Sequence, residues 1–61
     1  MEAKYRVDDE VTVSGTLTGI GDIKGIITEV KFEPLADEYF YGVKSPLQNF
    51  WSQERFLSKI D

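Results

Sequence analysis

The sequence predicts an all-β fold: a small antiparallel barrel of five strands, with a single helical turn before the last. Three observations point there. Apolar residues recur mostly at period two, the repeat of a strand with one face buried. Nowhere do apolar positions hold the i, i+3, i+4, i+7 spacing for the ~10 residues that a helix requires. The short apolar runs are separated by Gly, Pro, Asp and Asn clusters that turn the chain. Closure into a barrel suits so short a chain because it removes exposed sheet edge.

The elements follow in order. Val7-Asp8-Asp9-Glu10 reads as a tight turn, since Asp side chains bond neighbouring backbone amides. "VTV" at 11–13 then sets Val11 and Val13 on one face and Thr12 on the other. Residues 14–24 form a long loop holding Gly15, Gly19 and Gly21, with only Leu17, Ile20 and Ile23 to make partial contacts. "IITEVKF" at 26–32 is rich in the β-branched residues that suit a pleated surface, with Ile27, Val30 and Phe32 inward. The step from 27 to 30 breaks alternation and predicts a bulge near Thr28-Glu29. "EPLADE" at 33–38 is an exposed connection. In "YFYGVK" at 39–44, Tyr39, Tyr41 and Val43 face one way, and Phe40, Gly42 and Lys44 the other. "SPLQN" at 45–49 turns the chain into a short strand at 50–52, "QERF" makes one helical turn, and 57–60 is the final strand. The expected core is Val11, Val13, Ile27, Val30, Tyr41, Val43, Leu57 and Ile60, with the body of Trp51 competing for the interior.

Sixty-one residues make one domain, residues 1–61. A chain of this size buries only about 60% of the surface it exposes when unfolded, so few large apolar side chains can be spared for a site. The absence of Cys excludes a disulfide framework, thiolate metal ligands and a Cys nucleophile. His is also absent, which removes the commonest general base and the commonest metal ligand. No apolar run approaches the ~20 residues of a membrane span, and the charged start does not read as a signal peptide. The expectation is a soluble cytoplasmic protein with no membrane partner. Seven basic against eleven acidic residues leave a net charge of -4, which disfavours nucleic-acid binding because phosphate must be met by a basic excess.

The order of these features resembles the SH3-like barrel superfamily, in its bacterial and phage KOW- or Tudor-like form. The matching pieces are "YRVDDEVTV", "KGIITEV", "YFYGVK" and "FWSQERFLSKI", in which a Trp-containing strand leads through an acidic turn to a Leu-x-x-Ile strand. Together they cover most of residues 5–60. Asp8 stands where many members have Gly, and the "ALYDY" motif of peptide-binding relatives is absent, so proline-rich peptide binding is not carried over. The resemblance implies a phage-encoded protein or an accessory subunit. Fold by itself does not fix function.

Three sets of residues invite a chemical reading. Gly19-Ile20-Gly21 lacks the third glycine of a dinucleotide fingerprint at its required place and is followed by a strand rather than a helix. The stretch reads as a loop. The acids Asp8-Asp9-Glu10 and Glu33, Asp37, Glu38 crowd into solvated turns, away from any cleft that could push two pKa values apart. A weak divalent-ion site at Asp8-Asp9-Glu10 is disfavoured as well, because hard cations need about six oxygen ligands. Neither catalysis nor a cofactor or metal is expected. The eight aromatic residues carry more information. Phe40 and Phe56 adjoin inward residues and should face out, with Phe50 and Tyr5 near them and Lys44 and Arg55 at the rim. Such a cluster points to a protein-binding surface, because aromatic side chains supply much of interface energy; its alternative use is to complete the small core. Two other functions stand beside protein binding. One is nucleic-acid binding through Lys24, Lys31, Lys44 and Arg55; the other is an acidic inhibitor that mimics DNA.

Overall fold

A computed structural model describes residues 2–60. Five strands alternate with short connections: β1 (Glu10–Val13), β2 (Ile23–Glu33), β3 (Glu38–Lys44), β4 (Asn49–Gln53) and β5 (Leu57–Lys59). One helical turn, α1 (Gly15–Thr18), joins β1 to β2, and a 3-10 turn (Glu54–Phe56) precedes β5. All neighbouring strands are antiparallel, and they form one sheet in the order β4-β3-β2-β1-β5. No pairing joins β4 to β5 among the described residues, so both are edges of an open sheet. The expected closed ladder is not observed.

Alternation places the core as the sequence predicts in its centre. Val11, Val13, Ile27, Tyr41, Val43 and Leu57 are buried on one face. The register shifts between Ile27 and Glu29, at the predicted bulge. The extra residue returns Val30 to the inward face opposite Tyr41, where it is half-buried and packs against the core. Ile60 is only half-buried, because β5 ends at Lys59. Phe32 faces Tyr39 beyond the core at the far end of the β2–β3 hairpin; it is 38% exposed rather than inside.

Two core members lie where alternation does not reach. Tyr5 precedes any strand, yet it is buried. Its ring meets Tyr41 edge to face at 5.5 Å, and its hydroxyl donates to the Leu57 carbonyl at 3.0 Å. Tyr5 is therefore core rather than part of a surface cluster. Ile23 is buried too, because β2 begins three residues before the expected start and sets Ile23 opposite Val13.

The early loop is more regular than its glycines imply. Ser14 caps α1, its Oγ accepting from the Thr16 amide at 3.2 Å, and Gly19 ends the turn in the left-handed conformation at φ 77°. Asp22 reaches back to accept from the Gly15 amide at 2.7 Å. Ahead of β1, Asp8 takes φ 76°, and the Arg6–Asp9 turn is closed twice: the Asp9 amide donates to the Arg6 carbonyl at 3.0 Å and the Asp9 carboxylate accepts from the Arg6 amide at 2.9 Å. Gly25 has a packing role: a Cβ there would lie 2.6 Å from Val43 Cγ1 and 2.8 Å from the Lys44 carbonyl. Only Gly lets β3 approach β2 so closely at that point.

Candidate aromatic binding face

Directly opposed residues share a face, so the register defines the outward surface of the sheet. Across β2, β3 and β4, Lys31 opposes Phe40, which opposes Gln53; Glu29 opposes Gly42, which opposes Trp51. Trp51 therefore points outward, away from the core, and is 47% exposed. The expectation of an inward Trp51 is corrected by the turn at Ser45–Gln48. There Ser45 Oγ donates to the Gln48 carbonyl and accepts from the Gln48 amide, pinning Lys44 opposite Asn49. From that anchor, alternation sends Phe50 and Ser52 inward and Trp51 outward. Buried Ser52, not the indole, fills the interior opposite Tyr41.

Gly42 is crowded by β2 rather than by the indole. A Cβ at Gly42 would sit 3.6 Å from the Trp51 ring and 3.2 Å from Thr28 Oγ1. The indole stacks on Phe40, with centroids 6.1 Å apart and planes 24° from parallel. Phe40 is half-buried under this contact.

The five residues expected to form one patch separate into three places. Phe40 lies on the outward face. Phe50, paired with Val43, is on the inward face and packs against the core. Phe56 belongs to the 3-10 turn, is half-buried, and carries the Arg55 guanidinium 5.2 Å from its ring centroid. Arg55 also pairs with Glu38 at 3.9 Å, a long ion pair between an exposed guanidinium and a half-buried carboxylate. Lys44 is exposed on the outward face opposite Ile26. No ring contact joins Phe40 to Phe50 or Phe56 among the described residues. Trp51, like Phe32, is an exposed aromatic that sequence reasoning placed inward. The spacing of Trp51 from the Ser-Pro turn could have revealed it.

Beside this face, an open groove of about 730 Å³ is lined by Ile26 and Pro46 and by the charged side chains of Asp8, Glu10, Lys24 and Lys44. Charge on the outward surface is mixed throughout. Lys24, Lys31 and Lys44 share it with Glu10, Glu29, Glu33 and Glu38, as their partners in the register require.

Behind the sheet, Glu54 closes a polar node. Its Oε2 accepts from the Tyr41 hydroxyl at 2.5 Å and from the Lys4 amide at 3.1 Å. The Tyr41 oxygen in turn accepts from the Lys4 and Tyr5 amides at 3.2 and 3.3 Å. Burial, reinforced by the hydrogen bond to Glu54, pushes the Tyr41 phenol up to about 12. Burial and the charge of Glu54 raise Tyr5 as well. Both phenols are thereby held neutral as structural donors.

No group of His, Cys, Asp or Glu side chains that could hold a metal ion occurs among the described residues. No described helix is long and apolar enough to cross a membrane. No protein-family model matches the chain, and no curated protein or solved structure matches it.

Proposed function

We propose that this chain is a non-enzymatic protein-binding module of SH3-like barrel type, in the manner of a small phage-encoded or accessory interaction protein, and that it binds through the outward Phe40–Trp51 pair. The exposed, stacked Trp51 is the single observation that carries the reading. A domain with so small a core does not lightly leave an indole at the surface, and Trp is the residue most enriched among interface hot spots. The strand order and the 3-10 turn before β5 support an SH3-like sheet, left open between β4 and β5.

Mixed charge separates this reading from its rivals. Three lysines share the outward face with four glutamates, so adjacent phosphates would meet repulsion as often as attraction. The same interleaving breaks any row of acids that could imitate a DNA backbone. The test is affinity capture from a host lysate with wild type and with Trp51→Ala, alongside a thermal melt. Trp51→Ala should retain the fold and lose the captured partner by at least about tenfold, the effect of a hot spot worth over 1.4 kcal/mol. A folded Trp51→Ala protein with undiminished capture would move the binding surface elsewhere.

A further inference from the structure

The groove beside the aromatic face keeps opposite charges apart instead of pairing them. Across β1, β2 and β3, Glu10 opposes Ile26 and Ile26 opposes Lys44, so an aliphatic side chain separates the acid from the base. Lys24 opposes Thr12, one row along, and lies diagonally across from Glu10, within reach of a long side chain. Yet no ion pair or hydrogen bond engages the side chain of Asp8, Glu10, Lys24 or Lys44 among the described residues. All four line the groove, and Ile26, set between Glu10 and Lys44, is 44% exposed. The backbone fixes their places. The Asp8 amide donates to the Ile27 carbonyl at 2.8 Å, and the Ile60 amide to the Glu10 carbonyl at 3.5 Å, while Pro46 sits in the turn that Ser45 and Gln48 close. Charged and apolar groups are thus presented on a frame that needs little ordering to bind.

We infer that this groove takes an extended polypeptide segment of a partner in which an aliphatic side chain lies between a basic and an acidic one. The base meets Asp8 and Glu10, the acid meets Lys24 and Lys44, and the aliphatic group packs on Ile26 and Pro46. The inference rests on the protein-binding reading above for the class of ligand and adds a second subsite to it. The row of Lys44 and Asn49 adjoins that of Gly42 and Trp51, so one segment can engage both. Charge complementarity selects the occupant. A segment of one sign would meet repulsion from half of the charged groups, and a purely apolar one would desolvate four charges without giving them partners. Spacing agrees. Neighbouring strands lie about 4.8 Å apart, which sets Glu10 and Lys44 about 10 Å apart, and an extended chain places its same-face residues i and i+4 about 13 Å apart. Long Lys and Glu side chains cover that difference.

The test is titration of the isotopically labelled full chain with the end-blocked peptide Lys-Ser-Leu-Ser-Glu, followed by amide chemical shifts. Kd should be roughly 1 mM, with shifts at Glu10, Lys24 to Thr28, Lys44 and Ser45. Ser-Ser-Leu-Ser-Ser and Lys-Ser-Ser-Ser-Glu should each bind at least about tenfold more weakly. Lys24→Glu/Lys44→Glu should lose Lys-Ser-Leu-Ser-Glu by a similar factor and gain Lys-Ser-Leu-Ser-Lys, an exchange of preference that a folding defect does not produce. Should that variant fold poorly, Asp8→Asn/Glu10→Gln keeps the turn, because Asn tolerates the left-handed φ of Asp8, and should lose the preference for Lys over Ser at the first peptide position. The absence of shifts up to about 5 mM, shifts elsewhere on the chain, or equal binding of the uncharged peptide overturns the inference. So does binding that neither charge variant alters. If ε-aminocaproate, with the same two charges on a bare aliphatic chain, binds as tightly, the occupant is a small zwitterion and the polypeptide assignment fails. Peptide binding in the groove with lysate capture indifferent to Trp51 would uphold this inference and move only the Phe40–Trp51 site. Capture through Trp51 without peptide binding would leave that site standing and remove the groove.

Discussion

Tyr41 does more than fill space. Its ring is fully buried between Tyr5 and Tyr39, and its hydroxyl links the segment around Lys4 to the 3-10 turn through Glu54. Deleting that oxygen in Tyr41→Phe takes the partner from the Tyr5 amide and leaves the Lys4 amide and the Glu54 carboxylate only each other, which should cost about 1–3 kcal/mol near neutral pH. The alkaline limb is diagnostic. A phenol raised from 10.0 in the unfolded chain to about 12 in the folded one stabilises the fold fully below pH 10 and loses that contribution as pH rises toward 12. Wild type should therefore lose stability between pH 10 and 12 more steeply than Tyr41→Phe, as read by denaturant midpoints. Parallel pH profiles would show that the phenol is not held in this way.

Among the elements, the β1–β2 connection has the least predictable structure. Four residues of α1 cannot sustain a helix by propensity; what holds them is the Ser14 cap, the left-handed Gly19 and the Asp22 carboxylate on the Gly15 amide. Leu17 touches the core, while Ile20 is 64% exposed. The segment 15–22 should thus exchange amide hydrogens faster than β2, yet Ile23 should behave as strand because it is buried opposite Val13. Slow exchange through 15–22 would mean that the capped turn is as stable as the sheet. Rapid exchange at Ile23 would move the start of β2 back toward Ile26.

At the scale of the whole molecule, the chain fits within 29 × 22 × 19 Å, and its core is a graded one. Ile27 is fully buried at the centre of the sheet, whereas Val30, past the bulge, is half-buried. Ile27→Ala should cost about 2–5 kcal/mol, a large share of the total stability of a domain this small, and Val30→Ala about 1 kcal/mol. Equal losses in urea melts would contradict that gradient.

Period-two spacing was enough to read five strands, the bulge at Thr28-Glu29 and six of the buried residues, because a strand with one face in water must alternate. The turn before β5 was legible for the same local reason. Residues whose place depends on distant partners were not. Tyr5 lies in no strand, and contacts distant in sequence, the Tyr41 ring and hydroxyl and the Leu57 carbonyl, hold it inside. Trp51 reads as a competitor for the interior until the Ser45–Gln48 hydrogen bonds set the register of β4 and turn the indole outward. Phe40, Phe50 and Phe56 look alike in the sequence, yet one lies on each face of the sheet and one on the 3-10 turn. Local pattern thus determined the elements and their buried sides. Tertiary structure decided which aromatic residue was left facing solvent, because that choice depends on register and on what occupies the opposite strand.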